Sequence, residues 1–322
     1  MMNESDFTID EFEAREMLFG KKVKRLGVLI GQEHFKKRWK NKHENINGPR
    51  LIKVPGWIED ALGKYYLYFG NHNGKYIRLA YSEEVEGPYR LYKPGVLPIK
   101  KAPPSVINHI ASPEPYIDDG RKEIRLYFHG KSTRAHEYGK NSKQLSFVAI
   151  SSNGLDFKAL NEPLTKSYLN VFTHDGYFYG LAKSGEHSGQ FYRSPDGIKP
   201  FDMGQKCFPD ARHFGTYFDG KILHVLFSRA SDCPERILYN KVEIQGKDWM
   251  EWQEDPKEEF TVLAPKEEWE GTDLPFTPPR WGAAKERVRQ LRDPAWFIEN
   301  EKIYILYSIA GESGIALVSL QG

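Results

Sequence analysis

Residues 112–130 read SPEPYIDDGRKEIRLYFHG and contain the pattern that decides the fold. A proline-bearing turn leads into a short apolar strand, Asp118-Asp119-Gly120 forms a tight turn, and residues 124–129 form a second strand rich in aromatic side chains. A third apolar segment follows at 145–150. Three short strands joined by tight turns indicate one antiparallel sheet, and the chain contains similar units elsewhere.

The same unit recurs four more times, at residues 47–82, 168–193, 210–239 and 292–318. Repeated antiparallel units separated by irregular insertions are typical of blades arranged around one axis. We therefore predict an all-β fold, a five-bladed β-propeller. Residues 151–157 and 194–197 follow third strands, and their Asn-Gly and Asp-Gly pairs predict plain turns into a fourth, outermost strand.

The two ends of the chain complete this prediction. The last unit stops near the C-terminus without an outer strand, and residues 24–30, KRLGVLI, are the best candidate to supply it. We predict that residues 1–46 are an N-terminal extension that closes the last blade and that residues 47–322 are the propeller domain. The pattern also predicts a short amphipathic helix at 9–18, giving a short N-terminal helical extension, and another helix at 278–289.

Net charge and the length of apolar runs argue against nucleic acid and membrane as binding partners. The 46 basic and 44 acidic residues leave a net charge of +2, without the concentrated basic face that nucleic acid requires. No apolar run approaches the roughly 20 residues that span a bilayer, and the first residues lack the features of a signal peptide. We expect a cytoplasmic protein that binds neither nucleic acid nor membrane, with Cys207 and Cys233 as free thiols.

Propeller geometry gathers polar residues at one mouth of the central channel. The first strand of each blade lines that channel, so the starts of first strands and the loops between second and third strands share one face. The loops include residues 183–187, and the side chains singled out at this face are Glu114, His109, His129, Asp210, Arg212, His213, Asp232, Arg292, Asp293 and Glu312. Carboxylates beside basic groups in a cleft suit acid and base chemistry on a sugar.

The blade pattern and strand-start turns, such as 112–115 and 291–295, resemble the five-bladed glycosidases of glycoside hydrolase family 43 and, more distantly, family 32. The resemblance implies hydrolysis of glycosidic bonds by carboxylates at the channel mouth. The family's first-blade Asp, the base, falls at Asn47-Gly48-Pro49, and its third-blade Glu, the acid, falls near Tyr168-Leu169-Asn170; neither segment has a carboxylate. Glu114 matches the position of the second-blade Asp, which orients substrate.

We therefore predict a glycoside hydrolase-like enzyme acting on an oligosaccharide, with Asp293 and Asp210 as base and acid in unassigned order. Glu114 would orient the substrate. His109, His129, Arg212, His213 and Arg292 would bind hydroxyl groups or a sugar carboxylate. Glu186, Asp232 and Glu312 would assist from the loops, and Trp57, Trp281 and Trp296 are candidates for stacking on a ring. No metal-ligand spacing is present, so we expect neither a metal nor another cofactor. The two missing carboxylates leave two alternatives open: a non-catalytic carbohydrate-binding or interaction propeller, and a glycoside phosphorylase.

Overall fold

The computed structural model describes residues 14–35, 43–185, 187–277 and 281–322. These residues form five antiparallel sheets arranged as the blades of a propeller, which confirms the predicted fold class. The blades follow chain order, and within each of them the first strand lies at the inner end of the sheet.

The strands are grouped by blade. Blade one contains β3 (Asn47–Lys53), β4 (Tyr65–Gly70), β5 (Tyr76–Ser82) and β6 (Arg90–Pro98). Blade two contains β7 (Val106–Asp118), β8 (Glu123–Ser132), β9 (Gln144–Ser151), β10 (Lys158–Ala159) and β11 (Thr165–Lys166). Blade three contains β12 (Asn170–His174), β13 (Tyr177–Lys183), β14 (Ser188–Ser194) and β15 (Asp202–Pro209). Blade four contains β16 (Ala211–Phe218), β17 (Ile222–Arg229), β18 (Ile237–Glu243) and β19 (Phe260–Leu263).

Blade five joins the two ends of the chain. It contains β20 (Arg292–Glu299), β21 (Lys302–Ile309) and β22 (Gly314–Gln321), followed by β2 (Lys21–Ile30) and β1 (Met17–Leu18). Strand β2 pairs antiparallel with β22, with Lys22 opposite Gln321 and Val28 opposite Ala316. The fourth strand of this blade therefore comes from the N-terminal part of the chain. The division into an extension and a propeller domain at residue 46 stays a prediction.

The hydrophobic core is divided into five clusters, each between two neighbouring blades. The aromatic run of β4 shows why. Tyr66 and Tyr68 pack against blade two, whereas Tyr65, Leu67 and Phe69 pack against blade five, because alternate side chains of a strand point to opposite faces. A strand buried on both faces needs apolar residues at every position, which accounts for the continuous Tyr-Tyr-Leu-Tyr-Phe sequence.

Arg50 of β3 lies at the axis and contacts all the other blades. It forms an ion pair with Glu114 of β7, and its Nη2 donates to Asn170 Oδ1 of β12 and to the Phe214 carbonyl of β16, both at 2.8 Å. Its Nη1 lies 3.4 Å from the Pro294 carbonyl of β20. The innermost part of the channel is therefore filled by one guanidinium group.

The two helix predictions need correction. Half of the predicted N-terminal helix, residues 9–13, lies outside the described residues, and residues 14–16 have no regular secondary structure and lead into β1. Residues 281–289 form bends, and 278–280 lie outside the described part of the chain. The segments 14–18 and 281–289 instead cover the edge and the mouth of blade five, where strand pairing and side-chain contacts outweigh local helix preference. Within the described ranges, no helix is long and apolar enough to cross a membrane.

Candidate functional site

The start of every inner strand contributes to a hollow at one mouth of the channel. Gly48, Ser112, Tyr168, His213 and Asp293, one from each blade, line it together with Arg50, Pro113 and Phe214. Strand pairing is shifted by a bulge at this point in the blades that hold Gly48, Ser112, His213 and Asp293. Bulges re-aim side chains at the ends of strands and are common beside active sites.

The backbone at this ring is strained. Ser112, Tyr168 and Asp293 have φ angles of 48°, 66° and 48°. These angles lie in the left-handed region of the backbone, which residues other than glycine rarely adopt. Each such residue costs about 1–3 kcal/mol and persists only where its surroundings enforce it. Three strained residues at equivalent positions of three blades therefore mark this mouth as the candidate functional site.

Asp293 is the one carboxylate that lines this hollow among the described residues. Its Oδ2 accepts a hydrogen bond of 3.1 Å from Ser308 Oγ, and its Oδ1 lies 3.2 Å from His213 Nδ1, a separation in ion-pair range without hydrogen-bond alignment. Burial, reinforced by the charge of Glu312, raises the pKa of Asp293 to about 6. Burial and the nearby Arg212 hold the pKa of His213 well below its ordinary value, so the imidazole is neutral. The pair can therefore hold and release a proton near neutral pH.

A chain of buried ion pairs supports the mouth from blades four and five. Glu235 Oε2 lies 3.1 Å from Arg212 Nη1 and 2.9 Å from Arg292 Nε, and Arg292 Nη1 lies 3.0 Å from Glu312 Oε1. Burial alone would raise the pKa of Glu312, but the hydrogen bond from His72 and the charge of Arg292 lower it to about 2. Two guanidinium groups and two carboxylates thus neutralise one another, and Glu312 serves as an ion-pair partner rather than a proton donor.

Aromatic rings and one lysine surround Tyr168 beside the hollow. The Tyr168 ring lies 4.2 Å from the His129 ring and 5.2 Å from the His213 ring, between centroids. Lys183, the last residue of β13, places its Nζ 4.3 Å from the Tyr168 centroid and 5.5 Å from that of Trp281. Burial and the charge of Arg212 lower the pKa of Lys183 to about 7.

Other predicted site residues have different surroundings. Glu114 is ion-paired to Arg50, and burial raises its pKa while Arg50 opposes that rise. Asp210 is exposed in the turn between β15 and β16 and does not line the hollow. Asp232, in the loop between β17 and β18, lies 3.6 Å from Arg236, and burial raises its pKa to about 6. The structure therefore brings Asp293 to the hollow but not Glu114, Asp210 or Asp232. The predicted loop residue Glu186 lies outside the described residues.

Of the two histidines of blade two, His129 is buried and His109 is half-buried. His129 is buried beside His109, with ring centroids 6.2 Å apart, and burial with the neighbouring His109 charge lowers the pKa of His129 well below its ordinary value. Among the tryptophans, Trp296 is buried and donates to the Gly215 carbonyl, Trp57 donates to Asp119, and Trp281 is 47% exposed at the mouth. Of the three, only Trp281 contacts the groups around the hollow.

Sequence reasoning missed several of these groups. Lys183 falls in the mouth loop identified from the sequence, but nothing in its neighbours signals its burial. The sequence marks Tyr168 only as a place where the catalytic acid of family 43 has no counterpart. The roles of Arg50 and Glu235 follow from contacts with residues more than twenty positions away, which no local pattern reveals. No group of three or more His, Cys, Asp or Glu residues in the described ranges is placed to hold a metal, so the absence of a metal stays a prediction.

Sequence comparison gives one informative relative. The chain is 33% identical over 306 residues to the uncharacterized protein R118 of Acanthamoeba polyphaga mimivirus, covering 84% of this chain and 82% of the viral protein. This chain belongs to the same family as R118. No family model matches it.

Comparison with solved structures confirms the resemblance to family 43 at the level of the fold. A family 43 β-xylosidase/α-arabinofuranosidase from a compost microbial metagenome aligns with a TM-score of 0.58 at 13% identity, over 92% of this chain and 93% of that chain. The catalytic domain of a family 62 α-L-arabinofuranosidase from Coprinopsis cinerea aligns with the same score at 11% identity, over 93% and 97%. This member of the R118 family therefore has the five-bladed fold of these glycosidases.

Proposed function

We propose that this chain is a carbohydrate-active enzyme that cleaves a glycosidic bond at the mouth formed by Gly48, Ser112, Tyr168, His213 and Asp293. The observation that carries the proposal is Asp293, a buried carboxyl in a strained backbone position whose pKa lies at about 6. A general acid works best when its pKa is near the working pH. The glycosidase fold supports the choice of a glycoside as substrate.

In this proposal Asp293 donates its proton to the glycosidic oxygen as the bond to the anomeric carbon breaks. Tyr168 and Trp281 provide ring faces on which a sugar can stack. Arg292 and Glu312 hold each other in place beside Asp293 and keep its surroundings polar. In the hydrolytic reaction the oxygen of a water molecule forms the new bond to the anomeric carbon, the proton that this water loses passes to solvent, and Asp293 takes up a proton from solvent before the next turnover.

The test is turnover by the purified chain on xylotriose, the ligand of a structural neighbour from Xanthomonas citri, and on a panel of aryl glycosides. We expect Asp293→Asn to lower kcat by about 100-fold or more, the usual contribution of general acid catalysis. Asp60→Asn, at an exposed position between β3 and β4, is the matched control and should leave turnover unchanged.

Asp210→Asn tests the original pairing of Asp293 with Asp210. A large loss of turnover would restore Asp210 as the second catalytic carboxyl, whereas the exposed position of its side chain predicts a small effect. Full activity of Asp293→Asn on a substrate that the chain cleaves would refute the assignment. Binding of glycans without any release of product would favour the non-catalytic alternative.

A second reaction is favoured by the presence of only one carboxylate at the hollow among the described residues. In phosphorolysis, a phosphate oxygen forms the new bond to the anomeric carbon while the glycosidic bond breaks and the Asp293 proton passes to the leaving oxygen. This reaction needs a carboxylic acid and a bound phosphate, but no second carboxylate to activate water. Formation of a sugar 1-phosphate only when phosphate is added would identify it.

A further inference from the structure

Lys183 differs from the arginines of this end of the propeller in its lack of an acidic partner. Arg50, Arg78, Arg212 and Arg292 each form an ion pair with a glutamate. Within the described ranges, the contacts of the Lys183 ammonium group are with the rings of Tyr168 and Trp281, and it has neither a hydrogen bond nor an ion pair. A partly buried charge without a partner is costly, and a ligand that supplies the opposite charge removes that cost.

Two buried imidazoles beside Tyr168 also have unsatisfied nitrogen atoms. His129 and His213 are 2% and 3% exposed, and the Nδ1 atom of each has no hydrogen-bond partner among the described residues. Buried polar atoms are nearly always hydrogen-bonded. Both rings contact Tyr168, and His213 lines the hollow. The Nδ1 atom of His213 lies 3.2 Å from Asp293 Oδ1, whereas that of His129 has no such neighbour and is the nitrogen atom left for a ligand.

Arg212 adds a second positive charge at the same place. Its guanidinium lies 5.7 Å from the centroid of Trp281, the ring that Lys183 also approaches, and its Nη2 donates to the Gly282 carbonyl at 2.9 Å. Glu235 is shared between Arg212 and Arg292, and Glu312 contacts both Arg292 and His72. Arg212 is thus balanced by Glu235, and the positive charge without an acidic partner among the described residues at this place is that of Lys183, which lies beside the Arg212 guanidinium.

We infer that Lys183 and Arg212, with the imidazoles of His129 and His213, form a subsite for a phosphoryl group at the channel mouth. A phosphate monoester carries nearly two negative charges and three acceptor oxygens at neutral pH, which matches an ammonium group, a guanidinium group and neutral N–H donors. A carboxylate offers one charge and two oxygens. The inference rests on the mouth being the ligand site, as proposed above, but does not require that a bond is cleaved there.

The phosphoryl group has two possible sources, free phosphate or a phosphorylated sugar, and titration calorimetry of the full chain distinguishes them. Inorganic phosphate and glucose 1-phosphate are titrated separately at constant ionic strength. Binding of inorganic phosphate identifies a site for free phosphate, and binding of glucose 1-phosphate alone identifies the phosphoryl group as part of the sugar ligand. Binding of neither, or tighter Lys183-dependent binding of glucuronate, overturns the inference.

The variants locate the site. Lys183→Met should weaken binding by about tenfold or more, the usual effect of losing a hydrogen bond to a charged group. Lys183→Arg, which keeps the charge, should retain most of the affinity, and Lys64→Met, an exposed lysine between β3 and β4, should have no effect. Unchanged affinity in Lys183→Met overturns the inference.

A measurement on the unmodified chain covers the case in which Lys183→Met does not fold. Phosphate should protect Lys183, but not Lys64, from acylation by acetic anhydride, as read by mass spectrometry. Equal labelling of Lys183 with and without bound ligand contradicts the subsite. Asp293→Asn should keep its affinity for phosphate while losing turnover, so failure of the proposed reaction and failure of this subsite give different results.

Discussion

Ser308 is the residue that positions Asp293, because its hydroxyl donates to Oδ2 from the neighbouring strand of the same blade. A hydrogen bond donated to a carboxylate favours the ionised form and so lowers its pKa. Ser308 therefore limits how far burial can raise the pKa of Asp293. This lowering of the Asp293 pKa by Ser308 can be measured in the pH dependence of the proposed reaction.

Cleavage that needs protonated Asp293 should be lost as the pH rises through about 6, the pKa of that group. In Ser308→Ala the pKa of Asp293 rises. We therefore expect the decline of kcat/KM on the alkaline side, here called the limb, to move to higher pH. Ser151→Ala removes a hydroxyl from a turn in blade two and should change stability without moving the limb. A limb that stays in place or moves to lower pH in Ser308→Ala would contradict the positioning role.

The raised pKa of Asp293 also makes the free energy of unfolding depend on pH. The unfolded carboxyl ionises near its ordinary value of 3.8, whereas the folded one ionises near 6. Since the folded state binds the proton more tightly, this group lowers the free energy of unfolding as the pH rises from about 4 to 6. Ionised Asp293 and its strained backbone therefore both destabilise the folded state at the position that the proposed reaction uses.

At the scale of structural elements, two turns connect neighbouring blades in the same way. The Tyr68 hydroxyl of blade one donates to the Gly154 carbonyl at 2.8 Å, and the Tyr127 hydroxyl of blade two donates to the Gly197 carbonyl at 3.0 Å. Both glycines have a φ of 71°, and a Cβ at either would lie 2.8 Å from the tyrosine oxygen. The Asn-Gly and Asp-Gly pairs therefore form the predicted turns, and their glycine carbonyls accept hydrogen bonds from tyrosines of the preceding blade.

Removing these hydroxyl groups should weaken the interfaces by similar amounts. Tyr68→Phe and Tyr127→Phe should each lower the free energy of unfolding by about 1 kcal/mol. The double variant should lose about the sum, because the two bonds lie at different blade interfaces. Chemical denaturation measures this, with Tyr177→Phe, an exposed tyrosine, as the control. A loss as large in Tyr177→Phe would show that the hydroxyl contacts are not responsible.

For the whole molecule, Arg50 joins the blades at the axis, and Gly215 lets the inner strands of blades four and five approach each other closely. A Cβ at Gly215 would lie 2.5 Å from the Pro294 carbonyl, so the inner strands of blades four and five approach each other at the backbone. Arg50 fills the centre of the channel, and the hollow at one mouth lies directly above it. The position of the site thus depends on the same ion pair that closes the centre.

Breaking that ion pair should destabilise the propeller strongly. Arg50→Met leaves Glu114 partly buried without its partner, and we expect a loss of about 3–5 kcal/mol in the free energy of unfolding. Adding Glu114→Gln should recover part of that loss, because it removes the uncompensated charge. Denaturant unfolding of the single and double variants measures both effects. A double variant less stable than Arg50→Met alone would disprove the charge argument.

The N-terminal strand closes the molecule, and its removal tests the predicted division at residue 46. Without β2, the edge of β22 is exposed, and unpaired strand edges promote aggregation. We expect a chain that begins at residue 47 to unfold at a lower temperature and to aggregate during the melt. Thermal melting followed by light scattering measures this. A truncated chain as stable as the whole would show that residues 1–46 are dispensable for the propeller.

Much of the architecture could be predicted from sequence because its causes are local. The alternation of side chains in Tyr65–Phe69 and the Asp-Gly and Asn-Gly turns determine strands and hairpins wherever they occur, and five copies imply five blades. The helix prediction was wrong over residues 14–18, because Met17 and Leu18 pair with Lys22 and Lys21 of β2, a contact that the helical pattern does not reveal. Asp293 was identified because geometry places the start of every inner strand at one mouth.

By itself, the sequence determined five sheets around an axis and the face at which their polar residues meet. Only the tertiary structure decided which of those residues remain available, because charge and hydrogen bonding depend on atoms a few ångströms apart that lie far apart in the chain. Glu114 is neutralised by Arg50 and Glu312 by Arg292, whereas Asp293 and Lys183 are left facing the mouth. Burial then raises the pKa of the acid and lowers that of the amine.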